Sequence, residues 1–267
     1  MNLSTVRLVV TDIDGTLLDS RHKLSNDFYP TFSQLKSKGI LFSAASGRQL
    51  FNLQKRFEPI VEDVIFISEN GSYVVYRNEE LLVQAMPAAV TRELLATALG
   101  IAGAYPILCG KKKAYVQHTN PEFISNVELY YEKYEVVPDL LQVTDDEFLK
   151  IAICDLVGSS VNSYGYFKDR EDELQVKISG KIWLDLSHKL ANKGRALEVV
   201  QQRFGISAED TMVFGDYLND LEMMSKAHFS FAVENAHPDI KKAARYRAKS
   251  NDENGVVEML QQMVNLD

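Results

Sequence analysis

Four aspartates follow two short apolar runs of the 267-residue sequence. They are Asp12 and Asp14 after residues 7–11, and Asp216 and Asp220 after residues 211–214. Each run is typical of a buried strand that enters a turn, and parallel sheets place their ligands at the carboxyl ends of such strands. A single Asp-x-Asp-Gly segment is equally typical of an ordinary Asx turn. If the two runs are neighbouring strands, however, the carboxylates converge and need a cation, for which hard oxygen ligands favour Mg²⁺.

Ser46 and Lys193 could supply the complementary groups. Ser46 follows an apolar run at 40–45 and precedes a predicted helix, where a hydroxyl and backbone N–H groups can bind an oxyanion. Lys193 lies at the start of a helix predicted over 192–204. Taken singly, a capping serine and a surface lysine are the commoner interpretations. Together with the carboxylates and a cation, they provide what phosphoryl transfer requires.

The elements that must position these residues alternate between strand and helix in both end segments. Predicted strands lie at 7–11, 40–45, 64–67, 211–214 and 229–232. One predicted helix is capped by Ser25 and closed by Gly39, and others lie at 192–204, 221–227 and 256–263. This alternation predicts parallel βαβ units, and therefore a Rossmann-like three-layer α/β/α core.

The middle of the chain has a different pattern of predicted elements. A hairpin is predicted at 73–83, and the following residues are rich in Tyr, with strand candidates at 114–117 and 175–178 and helices at 88–99 and 120–131. We interpret this region as an inserted α+β domain. The predicted division is residues 1–84 for the first core segment, 85–187 for the insert and 188–267 for the second core segment.

Composition narrows the class of protein. Lys and Arg number 29 and Asp and Glu 37, so the formal net charge is −8, which argues against a nucleic-acid-coating or membrane-surface protein. No stretch is long and apolar enough to span a membrane, and no secretory signal pattern is present at the N-terminus. The two cysteines, Cys109 and Cys154, indicate neither a disulfide framework nor a zinc site. These features predict a soluble cytoplasmic protein, and the sequence makes no prediction of oligomeric state.

The motifs together resemble the haloacid dehalogenase superfamily, and specifically its Cof-type phosphatases, which carry an α/β cap of the type IIB kind after the third core strand. Four segments carry the resemblance in order. They are Asp12-Ile13-Asp14-Gly15-Thr16, Ser46-Gly47-Arg48, Lys193-Gly194, and Gly215-Asp216 with Asn219-Asp220. Three further segments, 69–71, 234–238 and 250–256, are also similar to the family.

The resemblance implies a role for each motif residue. Asp12 would attack phosphorus and become an aspartyl-phosphate, and Asp14 would act as general acid and then as general base. Ser46 and Lys193 would bind and neutralise the phosphoryl group. The expected Mg²⁺ ligands are Asp12, Asp14 through its backbone carbonyl, Asp216 and Asp220. The residues expected to bind phosphate or substrate are Thr16, Gly47, Arg48, Asn70 and Asn219; Asn70 is expected in part because its loop follows the third strand.

The function that follows is a Mg²⁺-dependent phosphatase for small phosphorylated metabolites, with sugar phosphates favoured and a cap that closes over the substrate. A sugar phosphomutase that uses the same nucleophile is an alternative, and a non-catalytic phosphometabolite-binding regulator is a weaker one. Candidates outside the motifs have plainer interpretations. Lys111–Lys113 could attract anionic substrates, but a solvated hairpin turn is the expected role. Tyr130, Tyr131 and Tyr134 could line a sugar-binding surface, but Tyr130 and Tyr134 are expected to pack on one helix face. His118 and His188 are weaker candidates for substrate contact, and both cysteines are expected to be buried.

Overall fold

A computed structural model describes residues 2–265 of the chain. Contacts divide it into two compact units. The first comprises the described residues up to Gly47, Phe57–Leu82 and those from Asn192 onward; the second comprises Arg48–Arg56 and Val83–Ala191. The segment Arg48–Arg56 therefore groups with the insert, which the sequence pattern does not indicate. The sequence-based boundaries at 84/85 and 187/188 stay a prediction.

The first unit is built around an eight-stranded sheet. Its strands are β1 (Leu8–Asp12), β2 (Leu41–Ala45), β3 (Val64–Ser68), β4 (Tyr73–Tyr76), β5 (Glu79–Val83), β12 (Thr211–Gly215), β13 (Phe229–Val233) and β14 (Tyr246–Ala248), in the order β14-β13-β12-β1-β2-β3-β4-β5. The strands from β14 to β3 run parallel, and β4 pairs antiparallel with β3. Chain order reverses between β1 and its neighbours β2 and β12, which is the switch point where such sheets bind ligands.

Helices cover this sheet to give the predicted three-layer core. They are α1 (Phe28–Ser37), α5 (Lys193–Phe204), α6 (Leu221–Met224), α7 (Pro238–Ala243) and α8 (Gly255–Val264). Helix α1 packs against α8, and α5 packs against α6. Buried aromatic rings fill the space under α1, where Phe28, Phe32 and Phe42 lie with ring centroids 5.5–6.2 Å apart. The α/β class expected from the sequence is confirmed.

The second unit has a six-stranded, mostly antiparallel sheet. Its strands are β6 (Ala104–Gly110), β7 (Ala114–Val116), β8 (Tyr134–Val136), β9 (Phe148–Asp155), β10 (Leu174–Gly180) and β11 (Trp183–His188), in the order β10-β11-β9-β6-β7-β8. Its helices are α2 (Leu50–Arg56), α3 (Ala88–Leu99) and α4 (Pro121–Tyr130). Side chains alternate along β6 and β9, so that one set packs with α3 and the other with α4.

No helix among residues 2–265 is long and apolar enough to cross a membrane. Both cysteines are buried, as expected, and burial raises the pKa of the Cys154 thiol to about 12. The thiol is therefore unreactive at neutral pH.

Candidate active site

The two acidic segments meet at the switch point of the first unit's sheet. Strands β1 and β12 are parallel neighbours, so Asp12 at the end of β1 lies beside Asp216, which directly follows β12. One carboxylate oxygen from each of Asp12, Asp216 and Asp220 lies within 4.8 Å of the other two. Within residues 2–265, this group of three does not include the Asp14 carboxylate.

Lys193 is the cation that these carboxylates share. Its side chain is fully buried, and its Nζ donates to Asp12 Oδ1 at 2.5 Å and to Asp220 Oδ1 at 2.7 Å. The start of helix α5 sets this position, because the Asn192 side chain caps the helix by accepting from the backbone N–H of Arg195 at 2.8 Å. When all three carboxylates are ionised, one ammonium leaves two negative charges uncompensated.

The pKa values of the site's carboxyl and ammonium groups are shifted by burial and by these neighbouring charges. Burial holds the pKa of the Asp12 carboxyl well above its usual range, against the attraction of Lys193. Burial, together with repulsion from Asp220, raises the pKa of Asp216 to about 6. For Lys193, burial alone would lower the pKa, but attraction by Asp12 and Asp220 outweighs it, and the ammonium stays charged.

The residues present fit a hard divalent cation. Within the described chain, Asp12 Oδ2 is buried and has no hydrogen-bond partner, an arrangement that is costly unless a ligand satisfies it. Asp216 offers a second carboxylate beside it, and oxygen donors of this kind suit Mg²⁺. Asp220 is more fully occupied: its Oδ1 accepts from Lys193, and its Oδ2 accepts from the backbone N–H groups of Asp216 at 2.9 Å and Tyr217 at 3.2 Å. These contacts favour a positioning role for Asp220 over direct metal ligation.

A second group of predicted residues gathers where β2 and β3 end. The Ser46 backbone N–H donates to Ile67 at 2.8 Å, and its carbonyl accepts from the Asn70 N–H at 3.0 Å. Asn219 Nδ2 donates to Asn70 Oδ1 at 3.1 Å. A Cβ added to Gly47 would lie 3.0 Å from the same Asn70 oxygen, so this backbone approaches Asn70 closely because residue 47 is glycine. The structure thus brings Ser46, Gly47, Asn70 and Asn219 together.

The loop that carries Asn70 also packs on the start of α5. Asn70 adopts a left-handed φ of 54°, and Gly71 follows with a φ of 92°. A Cβ added to Gly71 would lie 2.3 Å from the backbone oxygen of Asn192, next to Lys193. Only glycine permits this approach.

Asp14 and Thr16 lie on the loop after β1. Thr16 Oγ1 donates to Asp216 Oδ1 at 3.1 Å, which links the two acidic segments. The Asp14 side chain is 34% exposed, and its Oδ1 lies 3.4 Å from His22 Nδ1. A partly exposed carboxyl on the loop that follows Asp12 suits an acid that must reach a leaving group and water.

Arg48 belongs to the second unit. Its guanidinium donates to Asn52 Oδ1 at 2.9 Å and to the Leu129 carbonyl at 3.1 Å, and it lies over the Tyr130 ring at 5.2 Å from the centroid. These contacts hold α2 against the end of α4. Phosphate or substrate binding by Arg48 stays a prediction.

Other candidates have structural partners. Lys111, Lys112 and Lys113 form the turn between β6 and β7, and each pairs with an acidic residue. Tyr130 and Tyr134 do not share a helix face, because α4 ends at Tyr130 and Tyr134 lies in β8. That prediction was wrong. His118 packs edge-on against Tyr105, and His188 Nδ1 accepts from the Leu190 N–H.

Three residues near the loop have no role assigned from the sequence. They are His22, Asn235 and Asn251. His22 contacts Asp14, and the two asparagines bind the backbone of the loop after β1. Both asparagines follow strands of the same parallel sheet, so the rule that indicated Asp12 and Asp216 could have indicated them also.

Comparison with known proteins agrees with this geometry. Residues 9–260 match the family model of haloacid dehalogenase-like hydrolases. The chain is 31% identical to the 5-amino-6-(5-phospho-D-ribitylamino)uracil phosphatase YbjI of Escherichia coli, over 97% of each chain. It is 27% identical to the HMP-PP phosphatase of another Escherichia coli strain, over 88% of this chain and 86% of that one. The crystal structure of SMU.1108c from Streptococcus mutans superposes with a TM-score of 0.88 at 27% identity, over 98% of this chain and 100% of that one.

The chain belongs to the haloacid dehalogenase-like hydrolase family. The Cof-type resemblance carried by the motifs is confirmed, and so is the enzyme class expected from it, a phosphatase of this superfamily.

Proposed function

We propose that the protein is a Mg²⁺-dependent phosphatase that hydrolyses small phosphorylated metabolites, sugar phosphates in particular, through an aspartyl-phosphate on Asp12. The observation that carries the proposal is the buried Asp12, whose Oδ1 binds Lys193 while its Oδ2 has no partner within residues 2–265. An oriented, buried carboxylate with one free oxygen is suited to nucleophilic attack on phosphorus.

The reaction divides into two steps. In the first, one carboxylate oxygen of Asp12 forms a bond to phosphorus while the bond from phosphorus to the leaving oxygen breaks, and Asp14 donates a proton to that oxygen. In the second, Asp14 accepts a proton from water as the water oxygen bonds to phosphorus. The acyl-phosphate bond then breaks, which restores Asp12 and releases inorganic phosphate.

Lys193 keeps its charge throughout, because the pKa of its ammonium is raised by Asp12 and Asp220. It fixes the orientation of Asp12 and neutralises part of the phosphoryl charge. Ser46 and Asn70 would donate hydrogen bonds to phosphoryl oxygens. Mg²⁺, which Asp12, the Asp14 carbonyl and Asp216 would hold, supplies the positive charge that allows two anions to approach.

The substrate class is supported by the relatives. YbjI is named for a phosphorylated sugar alcohol that bears a pyrimidine, and the HMP-PP phosphatase for another small phosphorylated compound. We therefore propose a phosphate monoester of a sugar or sugar alcohol as the substrate.

The test measures inorganic phosphate released with Mg²⁺ from p-nitrophenyl phosphate and a panel of phosphorylated sugars, sugar alcohols, nucleotides and cofactors. The Asp12→Asn variant should lose at least about a thousandfold in kcat, because the nucleophile is removed. The exposed Asp172→Asn variant is the matched control and should match the wild type. Acid quenching during turnover should trap one phosphoryl group on Asp12.

Other outcomes select the alternatives. Near-normal phosphate release by Asp12→Asn would exclude the proposed nucleophile. An isomerised sugar phosphate in place of free phosphate would establish a phosphomutase. Phosphate-ester binding without turnover by the wild type would favour the regulatory binder.

A further inference from the structure

Two loops at the carboxyl edge of the first unit's sheet bind the loop that carries Asp14. The first is 234–238, after β13, and the second is the 3₁₀ turn Asn251–Glu253, after β14. Both lie in segments whose sequence is similar to the family, and neither has a role in the reaction described above.

The contacts form a connected set of hydrogen bonds. Asn235 Nδ2 donates to the Gly15 carbonyl at 2.7 Å, and Asn235 Oδ1 accepts from the Asn251 N–H at 3.1 Å. Asn251 Nδ2 donates to the Leu18 carbonyl at 2.9 Å. Asp252 Oδ1 then accepts from the Ser20 N–H at 2.7 Å. The backbone between Gly15 and Ser20 is therefore fixed at three points by side chains from two other loops.

Two of these points, Gly15 and Leu18, lie within the turn that contains Asp14, and Ser20 lies just beyond it. The N–H groups of Leu17 and Leu18 both donate to the Ile13 carbonyl, and Asp14 forms a β-bridge with Leu18. The Asp14 side chain is one-third exposed, so packing does not fix it from all sides. Its position therefore depends on the backbone of this turn as well as on its own side-chain contacts, among them the one with His22.

An amide side chain is needed for this arrangement. Asn235 uses its donor on Gly15 and its acceptor on Asn251 at the same time, which neither Ala nor Asp could do. Asn235 is exposed, whereas Asn251 is buried, so the two positions tolerate substitution differently.

We propose that Asn235 and Asn251 are positioning residues that hold Asp14 where it can deliver a proton to the leaving group. The inference rests on the proposed function, because it assigns them an effect through the general acid. Losing either asparagine should therefore affect substrates differently. A displaced general acid slows the departure of a poor leaving group much more than that of a good one.

The experiment compares p-nitrophenyl phosphate, whose leaving group needs no proton, with phenyl phosphate, which has nearly the same shape and a poorer leaving group. With enzyme in excess, the first-turnover release of each phenol isolates the step in which Asp14 acts as acid. The variants are Asn235→Ala and Asn251→Ala, and exposed Asn265→Ala is the matched control. Because Asn235 is exposed, its variant remains informative if Asn251→Ala does not fold.

We expect Asn235→Ala to slow phenol release by about tenfold or more and p-nitrophenol release by less than about threefold, since a general acid contributes 10²–10⁴-fold where it is needed. In an Asp14→Ala background, adding Asn235→Ala should change phenol release by less than about twofold, because the two residues act as one unit. Asn265→Ala should behave as the wild type with both esters.

Equal losses with both esters, no loss with either, or full additivity with Asp14→Ala would overturn the positioning role. The failure of the proposed function is distinct: the wild type would then release neither phenol, or Asp14→Ala itself would show no selectivity between the esters.

Discussion

Asp216 shows how the charge of single residues in this site depends on what surrounds them. Burial and the neighbouring Asp220 raise the pKa of its carboxyl to about 6, while Thr16 donates to its Oδ1. In the unfolded chain, the pKa of the same group lies near its ordinary value of 3.8. The native state therefore binds this proton more tightly than the unfolded state does. The resulting stabilisation is complete below about pH 4 and is lost as pH rises through 6.

In metal-free protein, the Asp216→Asn variant should reverse this loss of stability at higher pH. We expect its free energy of unfolding to rise relative to the wild type by about 1–3 kcal/mol between pH 4 and pH 7, from a pKa difference worth about 1.4 kcal/mol per unit. Urea unfolding in a chelator at four pH values measures the difference, and Asp172→Asn, on the exposed surface, should show none. A difference that does not vary with pH would mean that Asp216 is not protonated in the metal-free site.

At the scale of elements, the positions of the core strands could be predicted because their signals are local. The apolar runs and the turns after them correctly predicted β1, β2, β3, β12 and β13, and helix α3 was predicted at its observed bounds. The same pattern indicated which side chains meet at the sheet edge, since the carboxyl ends of parallel strands share one edge. The meeting of Asp12, Asp216 and Asp220 could therefore be predicted from residue types and spacing, given that β1 and β12 are neighbours. The Asp14 carboxylate, which was expected to converge with them, is not part of this group among residues 2–265, and the contact between Lys193 and Asp12 was expected only from the family resemblance.

The strands of the second unit were harder to predict, because tertiary packing decides them. Strand β9 is buried along its whole length between α3 and α4, so it lacks the polar alternation of a half-exposed strand. Strand β6 contains Pro106, which weakens a strand prediction. The end of α4 at Tyr130 carries neither Gly nor Pro as a signal, which explains the error over Tyr134.

Helix α1 shows a smaller error of the same kind. Ser25 was expected to cap it, but the N-cap is Asp27, and Ser25 Oγ accepts from the Asp27 N–H at 3.3 Å instead. Gly39, with a φ of 72°, follows the helix as predicted. Where a helix begins depends on which of several adjacent polar residues takes the N-cap position. The hydrophobic pattern of the sequence does not distinguish among them.

The loop after β1 requires glycine at position 15, and this requirement can be tested. Its φ is 81°, and an added Cβ would lie 2.5 Å from Asp216 Oδ2. Gly15→Ala should therefore displace Asp216, weaken Mg²⁺ binding and lower kcat/KM by about tenfold or more. The reason is that a displacement of about 1 Å in a catalytic group can slow a reaction by about a hundredfold. Gly39→Ala is the matched control, because its φ is also positive but nothing lies within 4 Å of the added Cβ.

Gly39→Ala should cost about 1–2 kcal/mol of stability from left-handed backbone strain and leave kcat/KM and Mg²⁺ affinity unchanged. Steady-state kinetics over a Mg²⁺ titration, with unfolding curves for both variants, separate the two effects. Equal activity losses at the two positions would show that backbone strain alone, and not contact with Asp216, is responsible.

At the scale of the whole molecule, the acidic residues behind the net charge of −8 lie in two kinds of environment, the surface and the buried site. Several acids of the second unit pair with nearby lysines, as Asp145 does with Lys112 and Glu147 with Lys111. Such exposed pairs contribute little to stability. Asp12 and Asp220 instead share one buried lysine, Lys193, and the Asp216 carboxylate lies close to both, so this small part of the acidic surplus is where a cation has the largest effect.

Binding of Mg²⁺ should therefore stabilise the chain unevenly. The carboxylates all lie in the first compact unit, whereas the two hydrophobic clusters packed around β6 and β9 lie in the second. A ligand at 100 times its Kd stabilises the state that binds it by about 2.7 kcal/mol. We expect Mg²⁺ to slow amide hydrogen exchange in the segments 12–18 and 215–220, and to leave β6 and β9 of the second unit unchanged.

Hydrogen–deuterium exchange followed by mass spectrometry, with and without Mg²⁺, measures this difference directly. Asp216→Asn should abolish the protection of both segments, because it removes a carboxylate that the cation needs, whereas Asp172→Asn should retain it. Equal protection of both units would mean that the cation acts through a global change and not through the carboxylates alone. Protection that persists in Asp216→Asn would place the cation elsewhere in the chain.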